Sequence, residues 1–512
     1  MFLSMRTITY KDVGLAILCG LLMTASFAPL SLDWVAWVFL IPLFLSLKNK
    51  SPWDSFKLAG IAGLSHYLTL IYWIIVVLSY YGGLNPVFAL SALLLLSLYL
   101  ALYIACFGLI WNTLQKDRLA LVLVAAGWVG LEYARTYVMS GFPWCLLGYS
   151  QYLRLPLIQI SDIAGVYGIS FLIVMVNVAI FNLISFARSD TIKSKAMETG
   201  VVILFIGLTL VYGYNSLGRK ATTAPDTNML RIAVVQGNID QSLKWKPELQ
   251  EKTLTLYGKL TEKSVGFKPK LIIWPETAVP FFFQDNTALS RGVFRIAAKM
   301  HSNILFGSPA YTEDSKGKHY YNRAYLISDR TIYDYYDKVH LVPFGEYVPL
   351  QRLLPFVNRL VPAAGDFSSG GKVEPISAAG LRIGPIICFE AIFPDISRKH
   401  AKQGARLLVN ITNDAWFGRT SAPYQHISMA VFRCVETALP MARAANTGIS
   451  AVILPTGEIT ARGGLFTKEV LCEELSLNHE KTFYSQFGDI FAIVLTLLTL
   501  LKLVWRFMHK RR

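Results

Sequence analysis

Three short blocks of the sequence set ionisable side chains at the ends of apolar, β-like runs. "GPIICFEAIFPD" (384–395) carries Cys388 with Glu390 two residues on. "LIIWPETAVP" (271–280) ends its run near Glu276, and "YDKVHLVPFGEYVP" (336–349) offers Lys338 and Glu346. A thiolate is a strong nucleophile, but an unperturbed cysteine titrates near pH ~8.5 and needs a base or a cation beside it. A buried carboxylate can take the thiol proton and return it to a leaving group. An ammonium can hold the oxyanion of a tetrahedral intermediate. Cysteine, glutamate and lysine together are sufficient for acyl transfer through a thioester. Plain alternatives stay open at this point: an inert apolar cysteine, an edge lysine and an exposed carboxylate in a turn. Spacing alone does not show that positions 276, 338 and 388 converge.

The elements that must position these groups are legible in the texture of residues 220–480. Strand-like runs include "RIAVVQG" (231–237), "SNILFGS" (302–308), "RAYLIS" (323–328), "TIYDYYDKVHL" (331–341), "ARLLVNITN" (405–413) and "GISAVILP" (448–455). Between them, "KPELQEKTLTLYGKLTEK" (246–263) begins with Pro247 and lines Leu249, Leu256, Tyr257 and Leu260 along one helix face. "APYQHISMAVFRCVETA" (422–438) predicts a second helix. Near-continuous apolar strands alternating with helices predict an α/β layered domain with buried sheets, its chemistry at the strand ends.

The rest of the chain is of another kind. Of 512 residues, 54% are hydrophobic and only 16% charged, with a mean hydropathy of +0.43, against about a quarter charged in an ordinary soluble domain. Apolar segments occur at about 13–30, 34–47, 58–80, 86–111, 119–138, 168–187, 198–215 and 489–507. Most approach the ~20 residues that cross hydrocarbon; 34–47 is short. The expectation is eight transmembrane helices: 1–219 with seven, a water-soluble domain over 220–482, and 483–512 with the last helix and a basic tail. The net charge of +16 does not point to nucleic acid, because much of it sits in short loops between apolar runs. Lys48, Lys50 and Lys57, then Lys116 and Arg118, then Arg188, Lys193 and Lys195 mark alternate loops, while "PLSLD" and "YYGGLNP" carry no cation. Positive loops stay in the cytoplasm, so both termini are expected inside and 220–482 outside. Within the spans, Glu132 and Arg135 can pair at i,i+3 or serve a substrate, and His66 is expected to be structural. "SGFPWCLLGYSQ" (140–151) is expected to lie in the outer interface or to form a packing platform. Six cysteines show neither zinc spacing nor a disulfide framework, and no metal or organic cofactor is indicated.

"WPET", "DKVHLVPFGEYVP" and "CFEAIFPD" resemble the signature blocks of the nitrilase (carbon–nitrogen hydrolase) superfamily, with its Glu–Lys–Cys triad. With "QGNIDQSLKW" (236–245), "NDAWFG" (413–418), "TSAPYQH" (420–426) and the layout of spans, the whole chain resembles the superfamily's membrane-anchored branch, the bacterial apolipoprotein N-acyltransferases. The resemblance implies an αββα sandwich. It implies an acyl chain passed from a phospholipid to the enzyme thiol, and then to the α-amino group of a lipoprotein's N-terminal S-diacylglyceryl cysteine. Carried over by position, Cys388 is the nucleophile, Glu276 the base and acid, and Lys338 the stabilising cation. Glu346 supports the triad, Glu390 is a site residue, and Trp245, Trp416 and Phe417 are substrate-side aromatics. Phe389 departs from the tyrosine that relatives often carry, so a phenol hydrogen bond there is dispensable or the activity is altered. The partners implied are a phospholipid donor, diacylglyceryl-modified apolipoproteins and the bilayer of the bacterial inner membrane, with a periplasmic catalytic domain on a monomer.

A membrane-tethered amidase acting on small C–N bonds is the alternative, and a binding-only outer domain a third reading. Eight spans disfavour the amidase, and a complete Glu276–Lys338–Cys388 set disfavours pure binding. The apolar stretches "AVPFFFQ" (278–284) and "PLQRLLPFVNRLVPAAG" (349–365) are expected to act as membrane-dipping lids. His340 is expected to be structural, Asn413 and Asp414 to form a turn, and Cys434 and Cys472 to be bystanders.

Overall fold

The computed structural model describes residues 7–185, 192–222, 229–241, 244, 246–315, 317–348, 367–378, 380–477 and 480–509. Trp245 and the expected lid at 349–365 lie outside the described residues. The chain divides into two compact units: Met1–Tyr72, Leu90–Arg219 and Phe487–Arg512 form one, and Trp73–Ala89 with Lys220–Gln486 the other.

The second unit is a sandwich of two six-stranded sheets. In the first sheet β1 (Met229–Gln236), β2 (Leu271–Ile273) and β3 (Asn303–Asp314) run parallel. β4 (Gly317–Ile327) and β5 (Ile332–Asp337) continue antiparallel on one side, and β12 (Glu469–Ser476) pairs antiparallel with β1 on the other. In the second sheet β7 (Leu381–Ile387), β8 (Leu407–Thr412) and β9 (Met441–Ala445) are parallel. β6 (Ile376–Ala378), β10 (Ala451–Ile453) and β11 (Ile459–Arg462) complete it antiparallel.

Alternation along the strands explains the layers. In β1, Ile232 and Val234 face the inter-sheet core with Leu305, Ile383, Ile387, Val409 and Ala444. Ala233 and Val235 point the other way, into a cluster with Tyr257, Leu260, Val293 and Ala297. Those four belong to the helices Pro247–Glu262 and Ala288–Met300, which cover the first sheet. The helices Pro394–Lys402 and Ala422–Thr437 belong to the second sheet's side, where a side chain on Gly384 would run into His400 at 2.7 Å. Strands buried on both faces need no polar alternation, which is why their sequences are near-continuous apolar runs.

Among the described residues, four helices are long and apolar enough to cross a membrane: Pro86–Leu114, Val166–Ile184, Lys195–Arg219 and Ile490–His509. Pro52–Leu70 with Trp73–Tyr81 qualifies only as a broken pair. Tyr10–Ala25 has 16 residues, and the expected span at 34–47 is broken into Asp33–Trp37 and Leu40–Ser46. A break frees backbone groups that lipid cannot satisfy. Asn177, buried on Val166–Ile184, answers them: it accepts from the Leu40 amide at 2.9 Å and donates to the Ala36 carbonyl at 2.9 Å.

The connecting loops sort into two ends. At one, Lys50 bonds Asp12 and the Thr7 carbonyl, Asn112 donates to the Lys50 carbonyl, and Lys502 and Arg506 meet Asp117. At the other, Asp33 pairs with Arg154 and its carbonyl accepts from Gln151, while Tyr137 donates to Asp489. Glu132 and Arg135 do not close on each other. Glu132 accepts from the Leu147 amide at 2.7 Å, and Arg135 donates to the Tyr67 hydroxyl. Residues 144–151 are buried within the helical unit, so this stretch is packed structure and not an exposed interfacial surface. His66 is buried, its Nδ1 2.9 Å from the Thr24 hydroxyl, in keeping with a structural role.

Trp73–Ala89 associates with the sandwich through Trp73, whose indole donates to the Gln425 side chain at 3.1 Å and packs edge-on against Phe417. Trp73→Ala removes that donor and a buried ring. Its cost is expected at about 3–5 kcal/mol, read as a lower melting temperature of the purified protein and faster proteolysis within 76–89; unchanged melting would contradict the anchoring role.

Candidate active site

Glu276, Lys338 and Cys388 each follow the last residue of a strand. Glu276 lies three residues past β2, Lys338 directly past β5 and Cys388 directly past β7. The ends of β2 and β7 are the carboxyl ends of parallel strands, where open α/β sheets form ligand crevices.

Lys338 is buried, and its ammonium lies 2.9 Å from Glu346 and 3.8 Å from Glu276 Oε1. The Asn322 side-chain amide bridges the same carboxylates, donating to Glu276 Oε1 at 2.7 Å and to Glu346 Oε1 at 2.9 Å. Burial acts to lower the Lys338 pKa, but Glu346 and then Glu276 outweigh it and hold the ammonium well above its ordinary value. Its backbone is fixed as well, with its amide on the Asn322 carbonyl and its carbonyl accepting from Gly370. Asn322 escapes a sequence reading because nothing marks it off within the polar start of β4.

The Glu276 turn needs its glycine neighbour. A Cβ on Gly307 would meet the Thr277 nitrogen at 2.4 Å and Glu276 Cα at 2.7 Å, so only glycine lets β3 approach. Thr277 takes a positive φ of 50°.

Cys388 also has a positive φ, 51°, which an L-residue adopts only when its surroundings enforce it. Two buried groups do so. The Glu390 carboxylate accepts from the Ile387 amide at 2.8 Å, just before the thiol, and from the Val339 and His340 amides at 2.7 and 3.1 Å, just after the lysine. Tyr336 adds a fourth donor at 3.0 Å. Glu390 therefore ties the Cys388 turn to the lysine turn; burial raises its pKa to about 7 against the lowering effect of those amides. His426 Nε2 donates to the Cys388 carbonyl at 3.1 Å, since a carbonyl can only accept. His426 Nδ1 lies 3.0 Å from Asp414 Oδ1, and Arg443 reaches Asp414 Oδ2 at 2.8 Å. Burial would raise Asp414, but Arg443 and then His426 overcome it and bring it to about 2. Asp414 is thus no mere turn residue: it is an ionised support behind Cys388. Its signal in the sequence was hidden because its partner Arg443 sits in "MARAA", which does not read as a strand.

Cys388 is half-buried as a residue, and the pKa of its thiol is raised by burial and then by Glu276, with Lys338 opposing. The resting group is a thiol that needs a base. His340, pushed down to about 4 by burial and Lys338, is neutral and packs on Phe393 and Phe389. Phe389 is buried against Phe393, an apolar setting. Trp416 and Phe417 are half-buried on one loop, beside Tyr81 and Trp73 respectively. The lid expected at 278–284 is corrected: Ala278, Val279 and Phe283 are buried, and Phe283 packs on Phe294, Phe306 and Tyr325. Those aromatics fill the outer layer of the sandwich. Lys244, which sequence reasoning passed over, is buried and donates to the Glu276 carbonyl at 3.0 Å.

Two family profiles match the chain: the apolipoprotein N-acyltransferase N-terminal domain over residues 19–179 and the carbon-nitrogen hydrolase over residues 231–483. The chain is 42% identical over 486 residues to the apolipoprotein N-acyltransferase of Geobacter metallireducens, covering 94% of this chain and 92% of that protein. It is 32% identical over 499 residues to the protein of the same name from Pasteurella multocida, covering 95% and 94%. A carbon-nitrogen hydrolase structure from Helicobacter pylori G27 aligns with 49% of this chain and 90% of its own at 17% identity and a TM-score of 0.37.

Two outcomes follow from the site. Gly307→Ala pushes Glu276 off its position by about an ångström, and turnover is expected to fall about 100-fold with membrane insertion intact; wild-type turnover would show that the approach is not required. Alkylation of resting Cys388 by iodoacetamide, followed on its peptide by mass spectrometry, is expected to be slower at pH 7 than for a free thiol and to climb past pH ~9; a plateau below pH ~8 would mean a resting thiolate.

Proposed function

The chain belongs to the apolipoprotein N-acyltransferase family, and we propose that it moves a fatty acyl chain from a membrane phospholipid to the N-terminal α-amino group of the S-diacylglyceryl cysteine of apolipoproteins, through a thioester on Cys388. The observation that carries this reading is kinship over nearly the whole chain, helical unit included, joined to a buried carboxylate–ammonium cluster acting on one cysteine. A tethered amidase is not favoured, since the relatives over this length carry the acyltransferase name.

In the first half-reaction Glu276 takes the Cys388 proton as sulfur attacks the donor's ester carbonyl. Lys338 stabilises the oxyanion, and Glu276 returns the proton to the departing glycerol oxygen. In the second, the acceptor amine attacks the thioester, and Glu276 takes its proton and passes it to the departing Cys388 sulfur. Glu346 holds Lys338; Glu390 positions both turns; Phe389, Trp416, Phe417 and Trp245 belong to the substrate side. The apolar wall offered by Phe389 and Phe393 supports exclusion of water, which a thioester intermediate requires if transfer is to beat hydrolysis. This chemistry needs no cofactor.

We read the chain as an eight-pass monomer of the bacterial inner membrane that binds no nucleic acid. Residues 1–219 span it seven times, 220–482 form a periplasmic catalytic domain, and 483–512 return to the cytoplasm. Support comes from the loops: those bearing Lys50, Asp117, Lys502 and Arg506 share one end, and such basic loops remain cytoplasmic. Asp33 at one end and Lys50 at the other support reading the broken segment between them as a crossing.

Mass spectrometry of the protein purified from membranes is expected to find a hydroxylamine-labile fatty acyl group on Cys388, absent from Cys388→Ser. Absence of the adduct, with ammonia released from simple amides, would turn the assignment to the amidase.

A further inference from the structure

The cluster around Cys388 holds two lysines, and only one is needed to pair with Glu346. Lys338 is committed: its ammonium sits at 2.9 Å from Glu346, with Glu276 further off at 3.8 Å. Glu276 must lose its negative charge to Cys388 when the thiol proton moves, and that charge stays inside the pocket. Lys244 is only 2% exposed, and among the described residues its one hydrogen-bond partner is the Glu276 carbonyl at 3.0 Å. A buried ammonium with a single acceptor is costly unless nearby anions compensate it. At rest the anion that acts on it is Glu276, joined by Cys388 once the thiol is ionised.

We propose that Lys244 is a positioning residue of the acyl-transfer site, fixing the Glu276 backbone and balancing the charge that passes from Glu276 to the Cys388 sulfur. The inference rests on the thioester reading. In the step concerned, the S–H bond of Cys388 breaks and its proton goes to the Glu276 carboxylate. A C–S bond forms to the donor ester carbon, and the carbonyl π pair moves to oxygen. With Glu276, Glu346, Lys338 and Lys244 ionised, the four charges cancel before the transfer; afterwards Cys388 replaces Glu276 and they still cancel. Without Lys244 the pocket carries one uncompensated negative charge in both states. Lys244 acts on Glu276 first and on Cys388 second; an opposite charge nearby lowers an acid's pKa by about 1–3 units, so once the proton has moved the ammonium favours the thiolate.

Burial lowers the Lys244 pKa to about 8, with Glu276 and Cys388 opposing. Lys244 is therefore charged below that pH and loses its charge above it, so thiol activation falls on the alkaline side. The surrounding groups titrate elsewhere: Asp414 near 2, His340 near 4 and Glu390 near 7, while Lys338 and Cys388 are pushed upward.

The test follows the first half-reaction alone, so that no acceptor amine titrates. Full-length enzyme is mixed with vesicles of total bacterial phospholipid from pH ~5.5 to ~9.5, and acylation of Cys388 is timed by quenched mass spectrometry. The wild-type rate is expected to fall with a midpoint near 8. Lys244→Arg, which stays charged to pH ~12, should acylate within a few-fold of wild type and lose that fall. Lys244→Met should be slowed at least about tenfold at pH 7 with its melting temperature retained. An unchanged alkaline limb in Lys244→Arg, a wild-type rate in Lys244→Met, or equal failure of both variants would overturn the proposal. A wild type that forms no acyl-Cys388 would instead strike the thioester reading itself.

Discussion

One buried ammonium shared by two carboxylates constrains the whole catalytic unit. Lys338 cannot be hydrated where it sits, so its charge has to be met by Glu346 and Glu276 and steadied by Asn322. Removing any one partner from such a set leaves a charge without compensation, which is far costlier than the modest net gain of the intact set. The three turns that carry Glu276, Lys338 and Glu346 must therefore hold their geometry within tenths of an ångström. The sandwich supplies that rigidity: the Glu276 turn leaves the fully buried β2, and the lysine turn is fastened to β4 through the Lys338 amide on the Asn322 carbonyl.

The Cys388 turn solves a related problem. A positive φ at Cys388 is unfavourable by itself, and the residue sits half-buried directly past β7. Glu390 clamps the amide side of this turn to the lysine loop, and His426 holds its carbonyl side. The acid and the imidazole do no proton transfer in this scheme; they keep a strained residue in place. Asp414 and Arg443 lie one layer further back and hold the imidazole. The helix bearing His426 also bears Gln425, the acceptor for Trp73. A residue far away in sequence is thus two positions from the nucleophile's support.

The parts of this design that were legible in the sequence are those with a local signature. β1, β2, β7 and β8 are dense in Val, Ile and Leu, and their runs coincide with the observed strands to within a few residues. β9 was not legible, because "MARAA" offers alanines and a buried arginine whose partner, Asp414, comes from another loop. β12 was missed for a different reason: "EVLCEELS" is an edge strand whose glutamates face solvent or the neighbouring loop. The helix Ala288–Met300 is amphipathic yet short on large aliphatics. Asn322 and Lys244 show the limit most clearly, since their roles exist only once β4 and the segment after β1 meet the Glu276 turn. The lid expected at 278–284 failed at Ala278, Val279 and Phe283 because aromatic density is equally the mark of a second core; Phe283 has Phe306 and Tyr325 to pack against. The 34–47 span failed as a regular helix because a polar residue on another helix, Asn177, made a break tolerable.

The membrane half follows from the energetics of the substrate. Burying one methylene is worth about 0.8 kcal/mol, so drawing a chain of some 16 carbons through water would oppose transfer by roughly 12 kcal/mol. No arrangement of carboxylates and ammonium groups around a thiol can recover that amount at the chemical step while also lowering the barrier. The acyl chain therefore has to remain in an apolar medium from donor to acceptor, and both substrates, being lipid-anchored, are confined to the bilayer. A soluble sandwich with the same turns would meet its thiol requirement and still be starved of substrate. The exposed leucines of Pro86–Leu114 and Ile490–His509, among them Leu95, Leu102, Leu497 and Leu501, have the composition that hydrocarbon accepts. Anchoring is in this sense part of the catalysis: it removes the largest unfavourable term before the Cys388 proton begins to move.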